Sequence, residues 1–363
     1  MSSSTTSPDT DRTDLHTPLS GVPLTHGQLP KYGAWLVLAV AVLAGLALWQ
    51  FADWNIAGAA VVAAIGYTVV VYAWARAVEG ARKAKDRLVT ALVTGAFLLA
   101  LLPLVSVVIT VVSKGLARFD TEFFTYSMRG ILGEGGGVHH AIMGTLIITA
   151  LATVISVPVG MLTAIYLVEY GRGKLAKAIT FFVDVMTGIP SIVAGLFAYA
   201  LFALVFGPGV RMGIMGAIAL SVLMIPVVVR STEEMLKLVP NELREASYAL
   251  GVPKWRTILK VVLPTALAGI ATGVTLAIAR VIGETAPLLV TVGITTGDNF
   301  DPFDGRMATL PVFAYYQYVA PGTPPEPALD RAWAAALLLI VIVMALNLVA
   351  RLISRLFAPK TRG

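Results

Sequence analysis

Cysteine is absent from this 363-residue sequence, which excludes disulfides and every thiolate metal site. Charge is scarce as well. Asp, Glu, Lys and Arg make up 13% of the chain, against roughly 25% in a soluble domain. A water-facing surface cannot be built from so few charges. No G-x-x-x-x-G-K-[ST] run occurs, so the chain has no P-loop for ATP. Neither a Ser/His/Asp constellation nor a His/Glu metal cluster is visible. The expectation is a protein that is not an enzyme and binds no cofactor or metal itself. His139 and His140 are adjacent, but a metal needs several converging ligands. The first thirty residues are polar and rich in Ser, Thr and Pro, and they lack the apolar core of a signal peptide. Residues 1–33 read as a disordered cytoplasmic tail.

What the sequence does have is long apolar runs. Hydrophobic residues are 57% of the chain, and a helix needs about 20 of them in succession to cross the hydrocarbon core. Eight stretches qualify, at 34–51, 56–74, 88–112, 141–167, 179–206, 212–229, 265–292 and 332–352. The predicted fold class is an all-α polytopic membrane protein with about eight transmembrane helices. The first two spans are joined by a short link around Asp53 and form a hairpin.

The net charge of +6 would point to nucleic acid in a soluble protein. Here it reads as topology, because basic residues accumulate on the cytoplasmic side of spans. Alternate loops hold Arg76, Arg82, Lys83, Lys85 and Arg87, then Arg172, Lys174 and Lys177, then a basic segment over 230–264. Their opposites include the acidic loop 293–331, with Asp298, Asp301, Asp304 and Asp330. Both termini are therefore expected in the cytoplasm, in a prokaryotic cytoplasmic membrane. Within the outer loop, the aromatic run 310–319 is expected as a short helix lying in the membrane interface.

The basic segment 230–264 has an organisation of its own. Ser231 to Glu234 fits a capping box, so a short helix is expected from Thr232 to just before Pro240. Asn241 is expected to cap a second helix over 242–250. Gly251 supplies a left-handed turn, and Pro253 opens a third helix that Pro264 breaks before the next span. A DNA-reading helix-turn-helix is disfavoured, since spans on both sides leave no reach to a major groove. A surface for membrane lipid or a docking element for a cytoplasmic protein remains.

The spacing carries a family resemblance. Glu245-Ala246-Ser247, then Gly251, then Val261-Val262-Leu263-Pro264 resembles the E-A-A…G…I-x-L-P loop of ATP-binding-cassette importer permeases. Ser stands in place of the second Ala, and Val in place of Ile. The stretch ARVIGETAPLL, with residues 141–171 and 187–197, resembles the phosphate-importer permeases, and TAPLL is more similar to their PstA-type subunits than to their PstC-type ones. The resemblance implies a six-helix type I importer permease core over 87–357, with its docking loop at 230–264. Residues 34–86 would then be an accessory transmembrane hairpin with a basic loop, and 358–363 a cytoplasmic tail.

The resemblance also implies partners. They are a PstC-like second permease, a PstB-like ATPase dimer that uses the ATP and Mg, and a PstS-like extracytoplasmic phosphate-binding protein. Glu245, Ala246, Ser247, Gly251, Leu263 and Pro264 would form the ATPase-docking element. The implied function is ATP-driven import of inorganic phosphate. A permease for sulfate or molybdate, and a membrane sensor or scaffold that transports nothing, are the alternatives.

Charges within spans are costly and usually face a partner or a watery path. Arg280 and Glu284 lie within the seventh stretch, and their spacing is expected to place them on one helix face as a pair. Arg280, Glu284 and Thr285 are the candidate substrate pathway, since arginine offers a planar fork of donors for oxyanions. Asp184 is a further candidate. Gly188, Pro190 and Ser191 are expected to interrupt its span.

Overall fold

The computed structural model of the chain describes residues 29–51 and 55–357. The expectations for residues 1–28, the link at Asp53 and the tail 358–363 lie outside the described residues. Those described form fourteen α-helices and no strand. Seven helices are long and apolar enough to cross a membrane, or eight if one sharply bent pair counts as a single span. The chain is an all-α, multi-pass membrane protein.

The helices fall into two compact units that divide at Ser106 and Val107. The first holds α1 (Gly33–Phe51), α2 (Ile56–Val78) and most of α3 (Ala81–Gly115). Residues just before α1 are tied down where the sequence predicts a free tail. Leu29 is buried beside Ala75 and Ala84, and its amide donates to Glu79 Oε1 at 2.9 Å. A backbone donor held by a buried carboxylate cannot stay in solvent.

The second unit is a bundle. α5 (His139–Ile165) packs along α8 (Gly213–Lys237), and α11 (Leu263–Val281) packs against both α8 and α14 (Glu326–Phe357). Ile148, Leu220, Met224, Val228 and Val281 meet in the central core. α4 (Thr121–Thr125) lies on one end, with Phe123 fully buried and Asp120 capping its amide at 2.8 Å.

One expected helix break is present, and two others are not, each for a local reason. The stretch 179–206 is broken into α6 (Lys174–Thr187) and α7 (Ser191–Phe206), bent by 109°. The interruption is where Gly188 and Pro190 predict it. Pro190 offers no amide and its ring would strike the carbonyl of Met186, so the chain turns through short bonds such as Gly188 N to Val185 O at 3.0 Å.

The predicted new helix at Thr232 does not begin there. α8 runs on through Ser231 to Lys237 without a break. No Gly or Pro stands between Arg230 and Lys237, and the Ser231 hydroxyl bonds back to Val228 O at 3.2 Å instead of capping.

The second change concerns Pro264, which does not break its helix. α10 (Lys254–Thr257) continues through a π turn at Ile258–Val262 directly into α11. The widened turn makes room for a ring that would otherwise press on the carbonyl of Lys260. The result is one helix of 28 residues from Lys254 to Val281.

The aromatic run forms α13 (Leu310–Val319) with the predicted bounds. One face of it is packed into the bundle, and Tyr315 and Tyr318 are exposed on the other. Leu310, Val312 and Phe313 are fully buried against α14 and α5, and the amide of Leu310 is held by Thr145 Oγ1 at 2.8 Å.

Candidate functional site

α9 (Asn241–Ala249) is a short amphipathic helix standing between α8 and α10. Pro240 occupies its N-cap position, and no side chain caps it. Asn241 is already inside the helix, with its Oδ1 accepting from Arg244 Nη1 at 3.4 Å, so it does not cap as expected. The far end closes as the sequence predicts. Gly251 adopts φ 75°, its amide donates to Tyr248 O at 2.9 Å, and Val252 N donates to Ser247 O at 3.2 Å. A left-handed residue lets two trailing amides turn back onto the last carbonyls of the helix.

Glu245, Ala246 and Gly251 are exposed on this element. Ser247 faces inward, where its hydroxyl meets Thr257 Oγ1 at 2.8 Å and clips α9 to α10. Leu263 is half-buried and Pro264 exposed at the start of α11. Around the exposed residues stand Leu250, 83% exposed, and Trp255 and Leu259, each 55% exposed. Small residues beside large exposed apolar ones can seat another protein closely.

What holds α9 to the bundle is Arg244. Its Nε and Nη2 each lie 3.0 Å from Glu169 Oε1, in the π turn Tyr166–Tyr170 that ends α5. The same guanidinium donates to Val239 O at 2.6 Å and Leu236 O at 2.9 Å, satisfying carbonyls where α8 ends. Lys254 adds a bond to Glu169 O and lies 4.7 Å above the Tyr170 ring. The Glu169 side chain is 5% exposed and that of Arg244 11%, so removing one partner strands the other. Arg244→Ala is expected to destabilise the protein by about 3 kcal/mol. Adding Glu169→Gln should recover part of that loss, because no unpaired charge remains. Thermal melts of the two variants check this, and equal melting temperatures would refute the coupling.

Arg280 lies in the last turn of α11 and is exposed. The expected pairing with Glu284 on one helix face does not occur. α11 ends at Val281, and α12 (Ala286–Thr291) starts after a turn. Pro287 stands in the first turn of α12, where its missing amide costs nothing, and the chain turns through 282–285 before it. Glu284 sits in the turn, half-buried, with its amide on Val281 O at 3.1 Å. Among the described residues, neither Arg280 nor Glu284 has an ion-pair or side-chain hydrogen-bond partner.

Thr285 lines an open cavity of about 460 Å³ with Gly283, Leu289, Pro311, Tyr315 and Leu339. Arg280 and Glu284 are outside that lining. The structure thus brings Thr285 to a cavity and leaves the two charges beside the helix break. α12 is held by Gly195 of α7, where a Cβ would stand 2.6 Å from Pro287 Cα.

Asp184 pairs with Arg230, which also donates to Glu233 Oε2 at 2.8 Å, and Glu233 accepts from Lys237 at 2.7 Å. This network ties α6 to α8. At the opposite end of α5, His139 Nδ1 lies 2.9 Å from Asp298 Oδ1, and His140 is buried edge-on to Phe313. Among the described residues, no three His, Asp or Glu side chains converge as a metal site.

Sequence reasoning missed the Arg244–Glu169 clamp and counted Arg244 only as one more cytoplasmic cation. One signal was available. Glu169 is an acidic residue at the end of an apolar span, beside a basic loop, and such a charge needs a partner.

Residues 156–363 match the family described as binding-protein-dependent transport system inner membrane component. The phosphate transport system permease protein PstA 1 of Mycobacterium tuberculosis H37Rv is 47% identical over 284 residues, covering 77% of this chain and 91% of that protein. The corresponding PstA of Pasteurella multocida is 42% identical over 272 residues, covering 75% and 95%. Among solved structures, the inward-facing MetNI methionine ABC transporter covers 61% of this chain at 23% identity and a TM-score of 0.48.

Proposed function

The chain belongs to the binding-protein-dependent transport inner-membrane components, among the PstA phosphate permeases, and on that premise we propose how its parts move phosphate. It is a transmembrane permease subunit of a phosphate-importing ATP-binding-cassette transporter. It is a multi-pass inner-membrane protein, it is not itself an enzyme, and it works with the other subunits of a Pst system.

In the proposed assembly it pairs with a PstC-like permease, receives phosphate from a PstS-like binding protein, and docks on a PstB-like ATPase dimer. That dimer hydrolyses ATP with Mg, and this chain binds no cofactor. Both termini and the 230–264 segment face the cytoplasm, which the clustering of Lys and Arg in that segment supports.

The observation that carries the mechanism is the continuity of the docking segment with the spans. A partner that seats on Glu245, Ala246 and Gly251 displaces α9. The Ser247–Thr257 contact passes the displacement to α10. α10 and α11 are one helix, so Arg280, seventeen residues beyond Leu263, moves with it across about 26 Å. The Arg244–Glu169 clamp carries the same push to the end of α5.

Arg280 serves the anion because its guanidinium is exposed and uncommitted, and charge-assisted bonds to phosphate oxygens are strong. Glu284 lies close in sequence and opposes the anion's charge, which keeps binding weak enough for release. Thr285 supplies a hydroxyl at the cavity.

The experiment is uptake of labelled phosphate by vesicles holding both permeases and the ATPase, with the binding protein outside. ATP-dependent uptake that excess sulfate leaves unchanged is the expected result. Equal competition by sulfate would support the wider oxyanion reading. Failure of an ATPase to copurify with the chain would refute the docking assignment.

A further inference from the structure

The first unit contains a groove of about 1180 Å³ between α1, α2 and α3. It is more than twice the size of the cavity at Thr285, and the transport mechanism makes no use of it. Its two ends differ in chemistry. Along most of its length it is apolar, with Trp35, Leu38, Leu46, Trp49, Val71 and Leu98 in its walls. At the end where α1 starts, α2 stops and α3 starts, the walls carry Lys31, Glu79, Lys83, Asp86 and Arg87.

These charges are not equivalent. Glu79 is 5% exposed and bound by Arg87, with Nε at 2.6 Å from Oε2 and Nη2 at 2.9 Å from Oε1. The Arg87 bonds hold its carboxyl down at about 2, aided by the Leu29 amide. The pair is therefore internally neutral and fixes the corner between α2 and α3. Lys31 and Lys83 are exposed and have no ion-pair partner among the described residues. Asp86, also exposed, opposes them, so the end of the groove carries one net positive charge: Lys31, Lys83 and Arg87 against Glu79 and Asp86. Arg76, Arg82 and Lys85 stand exposed on the same helix ends and extend the positive rim.

We propose that this groove is a binding site for one anionic phospholipid, with its acyl chains along the α1–α2 hairpin and its phosphate on Lys31 and Lys83. An apolar channel closed at one end by cations has the form of a two-tailed amphiphile with an acidic head. A zwitterionic lipid fills the apolar part equally well but gains nothing from the lysines. Each Lys or Arg near an anionic headgroup strengthens binding by roughly fivefold. The site stands on the first unit alone and does not depend on phosphate being the transported anion.

Native mass spectrometry of the delipidated full-length protein tests it, after incubation with equimolar phosphatidylglycerol and phosphatidylcholine of the same acyl chains. The wild type should retain one phosphatidylglycerol with a preference of roughly tenfold or more. Lys31→Gln with Lys83→Gln should abolish the preference while leaving the melting temperature in place, since both side chains are exposed. Equal retention of the two lipids by the wild type would overturn the proposal. So would a preference that survives the double substitution. A phosphatidylglycerol adduct that appears only when residues 2–28 are removed would assign the groove to the chain's own N-terminal segment and overturn it as well.

Discussion

In the reconstituted importer, Gly251→Asp leaves the permease folded and inserted while phosphate uptake falls by roughly tenfold or more, the loss of a coupling free energy between two sites. Two observations separate folding from coupling at this residue. Gly251 holds φ 75°, where a side chain costs about 1 kcal/mol and Asp is among the better tolerated residues. A Cβ built there meets nothing within 4 Å, so no contact inside the chain is lost. The added carboxylate instead projects from the surface that Glu245 and Ala246 share. The expected signature is a melting temperature within a few degrees of wild type, with ATP hydrolysis no longer matched by uptake. Gly251→Ala carries at least the backbone cost of Asp without the charge, and should still retain more uptake. Full uptake by Gly251→Asp would remove α9 from the coupling path.

Arg280→Ala lowers uptake roughly a hundredfold, as expected when a charge-assisted contact of about 3 kcal/mol is removed. The assembled complex should still purify, because Arg280 is exposed and holds no other described side chain. The geometry sharpens this test. Were Arg280 and Glu284 an ion pair, removing both would relieve the stranded charge and restore uptake. Arg280 ends α11 while Glu284 lies in the turn beyond it, so Arg280→Ala with Glu284→Ala should be no better than Arg280→Ala alone. Arg280→Lys keeps the charge and loses the fork, and should fall between. Restored uptake in the double variant would make the two residues a structural pair.

Periodicity and length carried much of the reading. Apolar runs at 34–51, 56–74, 141–167 and 212–229 correspond to helices α1, α2, α5 and α8, because a span is a property of some twenty consecutive residues. Gly251 was legible for a similar reason. The need for a left-handed residue after an amphipathic turn is local, and the sequence around it leaves no other place for the chain to reverse. The same locality misled at Thr232 and Pro264. A capping box and a proline are signals of a helix end only when nothing else continues the helix, and here α8 and the π turn at Ile258–Val262 do.

The sequence by itself determined that this chain crosses the membrane many times, has no G-x-x-x-x-G-K-[ST] run, and carries over 245–264 the spacing of a family loop. These follow from composition and from residues close together in the chain. Only the tertiary structure decided three further points. Arg244 is a clamp on Glu169, 75 residues away. Asp184 belongs to Arg230. Arg280 has no pair in Glu284, although four residues separate them. An ion pair is set by where two helices end and how they pack, and the end of α11 at Val281 changes that geometry while leaving the spacing in the sequence untouched.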